Sequence, residues 1–302
     1  MKAFASVWQD VSPHRLTQDW VDAAGIHTRY WRSPGEPDGV PLVLLHGTGG
    51  HVEAFSRNIG AFDGERDVWA IDLVGHGWSA MSSRPLEISD YETHLLAFMD
   101  KMRIRRAVFA GVSLGGWIAA RFAVDHAERV AAIVLATPGG SRANPSVMAT
   151  IKAKTSIAAA DASWSSVRAR LEYLVHDPKR ITDDLVATRL AIYRRPGMAE
   201  NMANVLVLQD PTVRARNLIG DEGWASIRCP ALIIWTEHDP TAPVSEGQRV
   251  AALVPSSEFV VFGDAGHWPQ FEKADEFNAA VGDFMARKVD MLATASETEV
   301  AQ

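Results

Sequence analysis

Gly111-Val112-Ser113-Leu114-Gly115 is the stretch that decides how this chain folds. An apolar run, Ala107-Val108-Phe109-Ala110, precedes it, and an alanine-rich, helical-looking run, 117–123, follows it. A strand that turns sharply into a helix through G-x-S-x-G exposes its serine on a strained turn. Glycines suit this turn because the helix packs against the strand and leaves no space for a Cβ. The pattern predicts that Ser113 is a nucleophile at a helix N-terminus, where free N–H groups favour negative charge. The alternative is a glycine-rich structural turn.

Size and composition limit the class of protein. The 302 residues can bury a large core, as one domain with an insertion or as two, and 47% hydrophobic with 22% charged residues is typical of a soluble globular protein. The net charge of −7 argues against a nucleic acid or an anionic membrane as partner. The single cysteine, Cys229, excludes an internal disulfide. We see neither a signal peptide nor a membrane span, so we expect a cytoplasmic protein. The sequence leaves open whether the chain forms a homo-oligomer.

Short apolar runs that alternate with helical patterns indicate the fold class. Such runs occupy 41–45, 68–71, 107–110 and 130–136, and then 231–235 and 258–262. Continuous apolar runs of this length are typical of parallel strands that are buried on both faces. A looser alternation from Trp20 to Trp31 around Ala24-Gly25 predicts a hairpin. We therefore expect an α/β protein with a mostly parallel sheet and helices on both faces.

The pattern of strands is interrupted once, after the sixth strand. From 141 to 224 the sequence is helical and contains no strong strand. A helical insertion between strands of an α/β sheet is best explained as a lid over a site. We expect a core of residues 1–140 and 225–290, a helical lid of residues 141–224, and a polar C-terminal tail of residues 291–302.

Two loops in the second half of the chain supply further chemistry. Asp239 follows one predicted strand, and His267 follows the next. The carboxyl ends of parallel strands meet at one edge of a sheet, so both side chains are expected near Ser113. An imidazole can take the serine proton, and a carboxylate can fix its tautomer and stabilise its charged form. The sequence therefore predicts a catalytic triad of Ser113, Asp239 and His267, with Glu237 as the rival acid.

A glycine-rich loop, His46-Gly47-Thr48-Gly49-Gly50-His51, follows the strand at 41–45. It lacks the G-x-G-x-x-G dinucleotide fingerprint, and its backbone N–H groups suit an oxyanion hole together with that of Leu114. His46 is expected to support the loop by hydrogen bonding, and His51 is expected to line the pocket or its edge. His76, between two glycines, is expected to act like His46. The histidines expected at the surface or the core edge are His14, His27, His94, His126, His176 and His238. No histidine pair has metal-ligand spacing with a third partner, so no catalytic metal and no cofactor are predicted.

Three longer motifs carry a resemblance to a known family. They are Pro138-Gly139-Gly140, the segment 181–185 with Arg189 and Pro196-Gly197, and Gly266-His267-Trp268-Pro269-Gln270-Phe271-Glu272-Lys273-Ala274-Asp275-Glu276-Phe277-Asn278. With these motifs, and with Ser, Asp and His in the usual chain order, the chain resembles the α/β-hydrolase superfamily along nearly its whole length. More narrowly, it is similar to the meta-cleavage product hydrolases, which split carbon–carbon bonds in ring-opened catechol derivatives.

The resemblance implies a serine-dependent hydrolase of 2-hydroxy-6-oxo-dienoates formed in aromatic catabolism. It implies that Arg189 is the lid arginine that recognises the dienoate carboxylate, for which a planar guanidinium is suited. The alternative is an exposed helix arginine. The alignment with the family also points to the N–H of Thr48 as the second oxyanion donor. The residues expected beside the substrate are Gly47, His51, Val112, Arg189 and Trp268.

Two departures from the family keep other activities open. Val112 stands where the subfamily usually has an asparagine, and the loop 46–55 contains no asparagine. Polar contacts to the keto acid end of a substrate are therefore expected to differ. A carboxylesterase or lactonase with the same triad is the main alternative, and a binding protein on a hydrolase scaffold is a third. Epoxide hydrolases and dehalogenases are excluded because they need a carboxylate in place of Ser113.

Overall fold

Eight strands form one sheet in the computed structural model, which describes residues 5–36 and 39–291. In chain order the strands are β1 (Thr17–Ala23), β2 (Ile26–Ser33), β3 (Leu42–Leu45), β4 (Val68–Ile71), β5 (Ala107–Val112), β6 (Val130–Ala136), β7 (Ala231–Thr236) and β8 (Ser257–Phe262). Their spatial order is β1-β2-β4-β3-β5-β6-β7-β8. The tail expected at 291–302 lies outside the described residues from 292 onward.

The sheet is parallel from β4 through β8 and antiparallel at the β1–β2 edge. The predicted hairpin is confirmed, because β1 pairs with β2 across a turn at Ala24 and Gly25. Both turn residues have positive φ, 54° and 86°, as a two-residue hairpin turn requires. Strands β3 to β7 are buried along their whole length, which explains their continuous apolar runs. The expected α/β fold is thus confirmed.

Twelve α-helices accompany the sheet within the described residues. They are α1 (Val7–Val11), α2 (Ile88–Met102), α3 (Leu114–Asp125), α4 (Pro145–Asp161), α5 (Trp164–Glu172), α6 (Asp183–Tyr193), α7 (Met198–Val205), α8 (Pro211–Asn217), α9 (Asp221–Ser226), α10 (Val244–Leu253), α11 (Pro269–Glu272) and α12 (Ala274–Met285). Helical pieces of three to five residues occur at Val52–Phe55, Ala127–Arg129, Pro178–Arg180, Leu206–Gln209 and Ala286–Asp290. None of the helices in the described ranges is long and apolar enough to cross a membrane.

Helices α4 to α9 lie between β6 and β7, and we call this stretch, residues 141–226, the helical insert. No strand interrupts it in the part of the chain that the structure describes. The boundary expected at residue 224 falls inside α9, where Trp224 is fully buried and the helix packs against α3 of the core.

One histidine expectation is wrong. His94 was placed at the surface or core edge, but its side chain is fully buried in α2. Its Nδ1 accepts a hydrogen bond from the N–H of Val74 at 3.1 Å, and its Nε2 lies 2.7 Å from the hydroxyl of Thr28. These two partners satisfy both ring nitrogens, so the polar side chain is tolerated inside the core.

Candidate active site

The turn from β5 into α3 has the geometry of a nucleophile elbow. Ser113 sits between the two elements with φ 56° and ψ −111°, a conformation that costs a non-glycine residue free energy. A Cβ on Gly111 would come within 2.2 Å of the carbonyl oxygen of Gly115, and one on Gly115 within 2.0 Å of that of Leu45. Both glycines are therefore required by the close approach of helix and strand, as the motif predicts.

Asp239 and His267 meet at the carboxyl edge of the sheet. The Nδ1 atom of His267 lies 3.0 Å from Oδ1 and 3.1 Å from Oδ2 of Asp239. Oδ1 also accepts hydrogen bonds from the N–H and the hydroxyl of Thr241, both at 2.8 Å. A carboxylate only accepts, so the proton of His267 lies on Nδ1 and leaves Nε2 free to take a proton from a nucleophile. Glu237, the rival acid, is exposed.

The backbone of the His267 loop is fixed by groups that sequence reasoning missed. Thr137 and Thr236, at the ends of β6 and β7, donate hydroxyl hydrogen bonds to the carbonyls of His267 and Gly266 at 3.0 and 2.7 Å. The buried Glu272 accepts from the N–H of Gly266 at 2.6 Å and from that of His176 at 2.8 Å. Glu272 thus joins the catalytic loop to the helical insert. It stands in the quoted His267 motif, but its role depends on contacts that only the fold creates.

The loop after β3 curls beside Ser113. A Cβ on Gly47 would lie 3.1 Å from the Cβ of Ser113, so this position must stay small for the loop to approach the serine. His46 fixes the loop: its Nε2 accepts from the N–H of Leu73 at 3.1 Å, so its Nδ1 donates to the carbonyl of Gly47 at 2.9 Å. Burial, followed by the charge of His76, holds the pKa of His46 well below its usual value, so the ring is neutral. His46 therefore supports the loop, as expected.

Leu114 and Thr48 occupy positions suited to an oxyanion hole. Leu114 is the first residue of α3, where the backbone N–H has no acceptor within the helix. Both residues line the same cavity as Ser113 and His267. Backbone N–H groups at two such positions beside the serine would stabilise charge on a carbonyl oxygen.

This cavity lies between the sheet edge and the helical insert, and its empty space, with open solvent at its mouth included, is about 870 Å³. Of the expected substrate-binding residues, Gly47 and Trp268 line it. Val112, His51 and Arg189 do not belong to its lining: Val112 is buried in β5, and the other two lie deeper. Three arginines, Arg142, Arg170 and Arg214, line the cavity, and no aspartate or glutamate does so in the described chain.

Arg189 is fully buried on α6, which excludes an exposed helix arginine. Its guanidinium lies 5.5 Å from the centroid of the Trp268 ring, and its Nε donates to Nε2 of His51 at 3.3 Å. Nδ1 of His51 in turn donates to Glu53 at 2.7 Å. Both Nη atoms of Arg189 and the hydroxyl of Tyr193 are buried without a hydrogen-bond partner in the described residues.

The chain of contacts continues from Glu53 into the core. Arg29 donates to Glu53 at 2.7 Å and to Asp72 at 3.3 Å, and all three side chains are nearly inaccessible. Burial would raise the pKa of Glu53, but His51 and Arg29 hold it well below its usual range. Burial raises the pKa of Asp72 to about 6, although Arg29 opposes the shift. Burial also lowers the pKa of His51, which suits a neutral ring that accepts from Arg189. These core contacts hold His51 in place, and His51 in turn fixes the Nε atom of Arg189.

A second cluster of polar groups lies away from the cavity lining. His176, His238 and Asp264 are exposed, and one ligand atom from each lies within 4.8 Å of the others. The two imidazole rings stack with centroids 3.9 Å apart. Sequence spacing could not reveal this group, because its members come from three separate segments. None of its three members belongs to the predicted triad. The group therefore does not test the expectation that catalysis needs no metal.

Comparisons with known proteins agree with this geometry. Residues 40–274 match the family described as alpha/beta hydrolase fold. A 2-hydroxy-6-oxononadienedioate/2-hydroxy-6-oxononatrienedioate hydrolase of Pseudomonas sp. is 31% identical over 254 residues, which cover 82% of this chain and 88% of that protein. A 2-hydroxy-6-oxo-6-phenylhexa-2,4-dienoate hydrolase of Comamonas testosteroni is 30% identical and covers 83% of this chain and 89% of its own.

Solved structures give the same result. A mutant meta-cleavage product hydrolase from Pseudomonas fluorescens IP01, complexed with acetates, superposes with a TM-score of 0.76 at 27% identity. The match covers 89% of this chain and 97% of that one. The similarity therefore includes the helical insert as well as the sheet.

Proposed function

The chain belongs to the α/β-hydrolase family, and on that premise we propose that it cleaves a carbon–carbon bond in a 2-hydroxy-6-oxo-dienoate ring-fission product of aromatic catabolism. The reaction consumes one water and releases a carboxylic acid and a 2-hydroxydienoate. The observation that carries the proposal is a Ser113–His267–Asp239 constellation beneath a cavity whose charged lining residues are arginines. The relatives that are named as dienoate hydrolases support this substrate class.

Ser113, His267 and Asp239 act as one unit in this proposal. Ser113 attacks the substrate carbonyl or orients the attack of water on it, with Nε2 of His267 as base. Asp239 keeps the proton of His267 on Nδ1 and stabilises the charged ring. The N–H groups of Leu114 and Thr48 donate to the oxyanion and contribute roughly 3–4 kcal/mol each. A bound boronate or product should place its oxygen within hydrogen-bond reach of both amides, and an oxygen beyond reach of both would contradict this assignment.

Carbon–carbon cleavage adds one requirement to ester hydrolysis. The carbon leaving group can carry charge only after a proton reaches the dienol carbon and gives a keto tautomer, so that bond breaking yields an enolate. His267 can shuttle that proton if the substrate is held firmly. We assign this holding role to Arg189, which recognises the dienoate carboxylate, with Trp268 packed beside the extended π system. The helical insert acts as a lid that excludes water.

A carboxylesterase or lactonase is the second candidate. It is favoured by Val112, whose apolar side chain lies where the related hydrolases usually have an asparagine, and by the position of Arg189 behind the cavity lining. An ester releases an alkoxide without prior tautomerisation and needs no carboxylate clamp. The same triad would serve both reactions.

A panel of substrates separates the two candidates. The purified protein should bleach at least one coloured ring-fission dienoate, and the products should be a carboxylic acid and a 2-hydroxydienoate. Short p-nitrophenyl esters, assayed in parallel, report on the triad alone. Efficient ester turnover without activity on any dienoate would assign the protein to the esterases. From the net charge of −7 we further expect no nucleic-acid or anionic membrane partner. The cytoplasmic location stays a prediction from the sequence.

A further inference from the structure

Arg170, on α5 of the helical insert, is a buried cation that faces the cavity. Its side chain is only 3% exposed, and it is one of the lining residues. Nε donates to the hydroxyl of Thr155 at 2.8 Å, while Nη1 is buried without a hydrogen-bond partner in the described residues. No ion pair joins Arg170 to a carboxylate within residues 5–36 and 39–291. Arg168, two positions earlier, instead pairs with Glu172 and Asp183 at 2.9 and 3.0 Å.

A guanidinium in this position is unfavourable unless it meets an anion. Burial lowers the pKa of Arg170 to about 10, with Tyr193 opposing the shift and Arg189 adding to it, so the group stays charged at neutral pH. Removing a charge from water without a partner costs several kcal/mol. The neighbouring Arg189 is buried too, and no ion pair to a carboxylate is formed by it in the described chain. In the described chain neither guanidinium contacts a carboxylate directly, and Glu53 reaches Arg189 only through His51. We therefore expect the ligand to supply a negative charge at this place.

The free donors of this region match one kind of ligand. Among residues 5–36 and 39–291, Nη1 and Nη2 of Arg189 and Nη1 of Arg170 have no acceptor within hydrogen-bond geometry. The hydroxyl of Tyr193 is close to both arginines and acts on the pKa of each. A 2-oxo or 2-hydroxy carboxylate offers three oxygen acceptors at one end of a planar group. Planar acceptors of this kind are bound best by guanidinium groups.

We propose that Arg170 forms a carboxylate-binding subsite with Arg189 and contacts the 2-oxo or 2-hydroxy carboxylate end of the substrate from the cavity side. Arg189 binds the same carboxylate with its Nη atoms from deeper in the fold, where His51 holds its Nε. This inference rests on the proposed function and specifies it: the substrate is an anion whose carboxylate lies at the α5–α6 end of the cavity. Arg170 determines specificity, and the triad performs the chemistry.

Titration calorimetry with 2-oxopentanoate, a small 2-oxo carboxylate, tests the subsite without turnover. The change is Arg170→Met, which keeps length and removes charge, and the matched control is Arg168→Met on the same helix. A charge-assisted hydrogen bond contributes about 1.5–3 kcal/mol, so Arg170→Met should weaken binding roughly 10- to 100-fold. Arg168→Met should bind like the unaltered protein. The proposal is overturned if Arg170→Met binds 2-oxopentanoate as tightly as the unaltered protein does. It is also overturned if the unaltered protein does not bind 2-oxopentanoate at millimolar concentration.

Two further measurements keep the result interpretable. Arg170→Met should melt at or above the temperature of the unaltered protein, because an unpaired buried charge is removed. Arg168→Met, the control, should hydrolyse p-nitrophenyl acetate almost unchanged. If Arg170→Met does not fold, Arg170→Gln is to be titrated instead, with the same expected loss. On a cleaved dienoate, KM should rise roughly 10-fold or more with a smaller change in kcat.

Failure of this inference is distinguishable from failure of the proposed function. If no dienoate is cleaved but 2-oxopentanoate binding depends on Arg170, the carboxylate subsite is supported and the proposed carbon–carbon cleavage is contradicted. If dienoates are cleaved and Arg170→Met changes neither KM nor 2-oxopentanoate affinity, the proposed reaction is supported and the carboxylate subsite is contradicted.

Discussion

The two ends of the cavity differ in how fully their polar groups are satisfied. At the sheet edge, one oxygen of Asp239 accepts from Thr241 and from His267, and buried Glu272 accepts from three backbone N–H groups. At the end formed by the helical insert, Arg170 and Arg189 keep buried donors without acceptors. The first region is complete without a ligand, and the second is not.

This difference indicates a division of labour. Satisfied hydrogen bonds hold a triad in one geometry, so that catalysis needs little reorganisation. Unsatisfied buried donors cost stability in the free protein and are recovered when an anion binds. Changes at the sheet edge should therefore affect every substrate, whereas changes at the arginine end should affect only anionic ones.

The largest effect is expected from Ser113→Ala. Loss of the nucleophile should lower kcat by roughly 10³–10⁶ on dienoate and ester alike, since both reactions use the triad. Ser89→Ala, which changes an exposed serine on α2, is the control and should leave turnover unchanged. Near-normal turnover by a folded Ser113→Ala protein would show that the triad assignment is wrong.

Glu272→Gln tests the support of the triad. An amide NH₂ would face one of the N–H groups that now donate to the carboxylate, so we expect about a 10-fold loss in kcat/KM on both substrates, together with a lower melting temperature. Glu276→Gln removes an exposed carboxylate from the next helix and serves as control. A loss confined to the dienoate would place Glu272 in substrate binding and would break the proposed division.

The smallest effect concerns stability against pH. Burial lowers the pKa of His76 to about 4 and, with the charge of His76 adding to it, that of His94 to about 4. Between pH 6.5 and 4 the unfolded chain binds more protons than the folded one. The stabilisation that the two neutral rings give is therefore fully present above pH 6.5 and is lost as the pH falls toward 4. Each histidine should contribute on the order of 3 kcal/mol.

Denaturant unfolding at a series of pH values measures this loss. His94→Gln should show a smaller decrease in the free energy of unfolding over that range than the unaltered protein. Identical pH dependence in the two proteins would mean that the buried ring of His94 is not held neutral by the fold.

The fold could be predicted, and the triad proposed, because their signals are local. The run into Ser113 carries its motif within a few residues, and the apolar run at Val130–Ala136 forms a strand with the expected bounds in the structure. Local patterns of this kind need no knowledge of distant partners.

The polar support of the site could not be predicted, because it depends on long-range contacts. His94 was misplaced since its partners, Thr28 and Val74, come from other elements. The sequence around Arg170 is that of an ordinary amphipathic helix. Its neighbours in the sequence do not indicate that α5 directs this side chain toward the cavity. Arg189 was identified only through a family resemblance, and its depth behind Trp268 became visible only in the structure.

The most direct test of the two-region account is Arg189→Ala assayed on two substrates. We predict a loss of about 10² or more in kcat/KM on a ring-fission dienoate, since a buried carboxylate loses its charged partner, with almost unchanged hydrolysis of an uncharged p-nitrophenyl ester. Equal losses on both substrates would contradict the account, because Arg189 would then only support the helical insert.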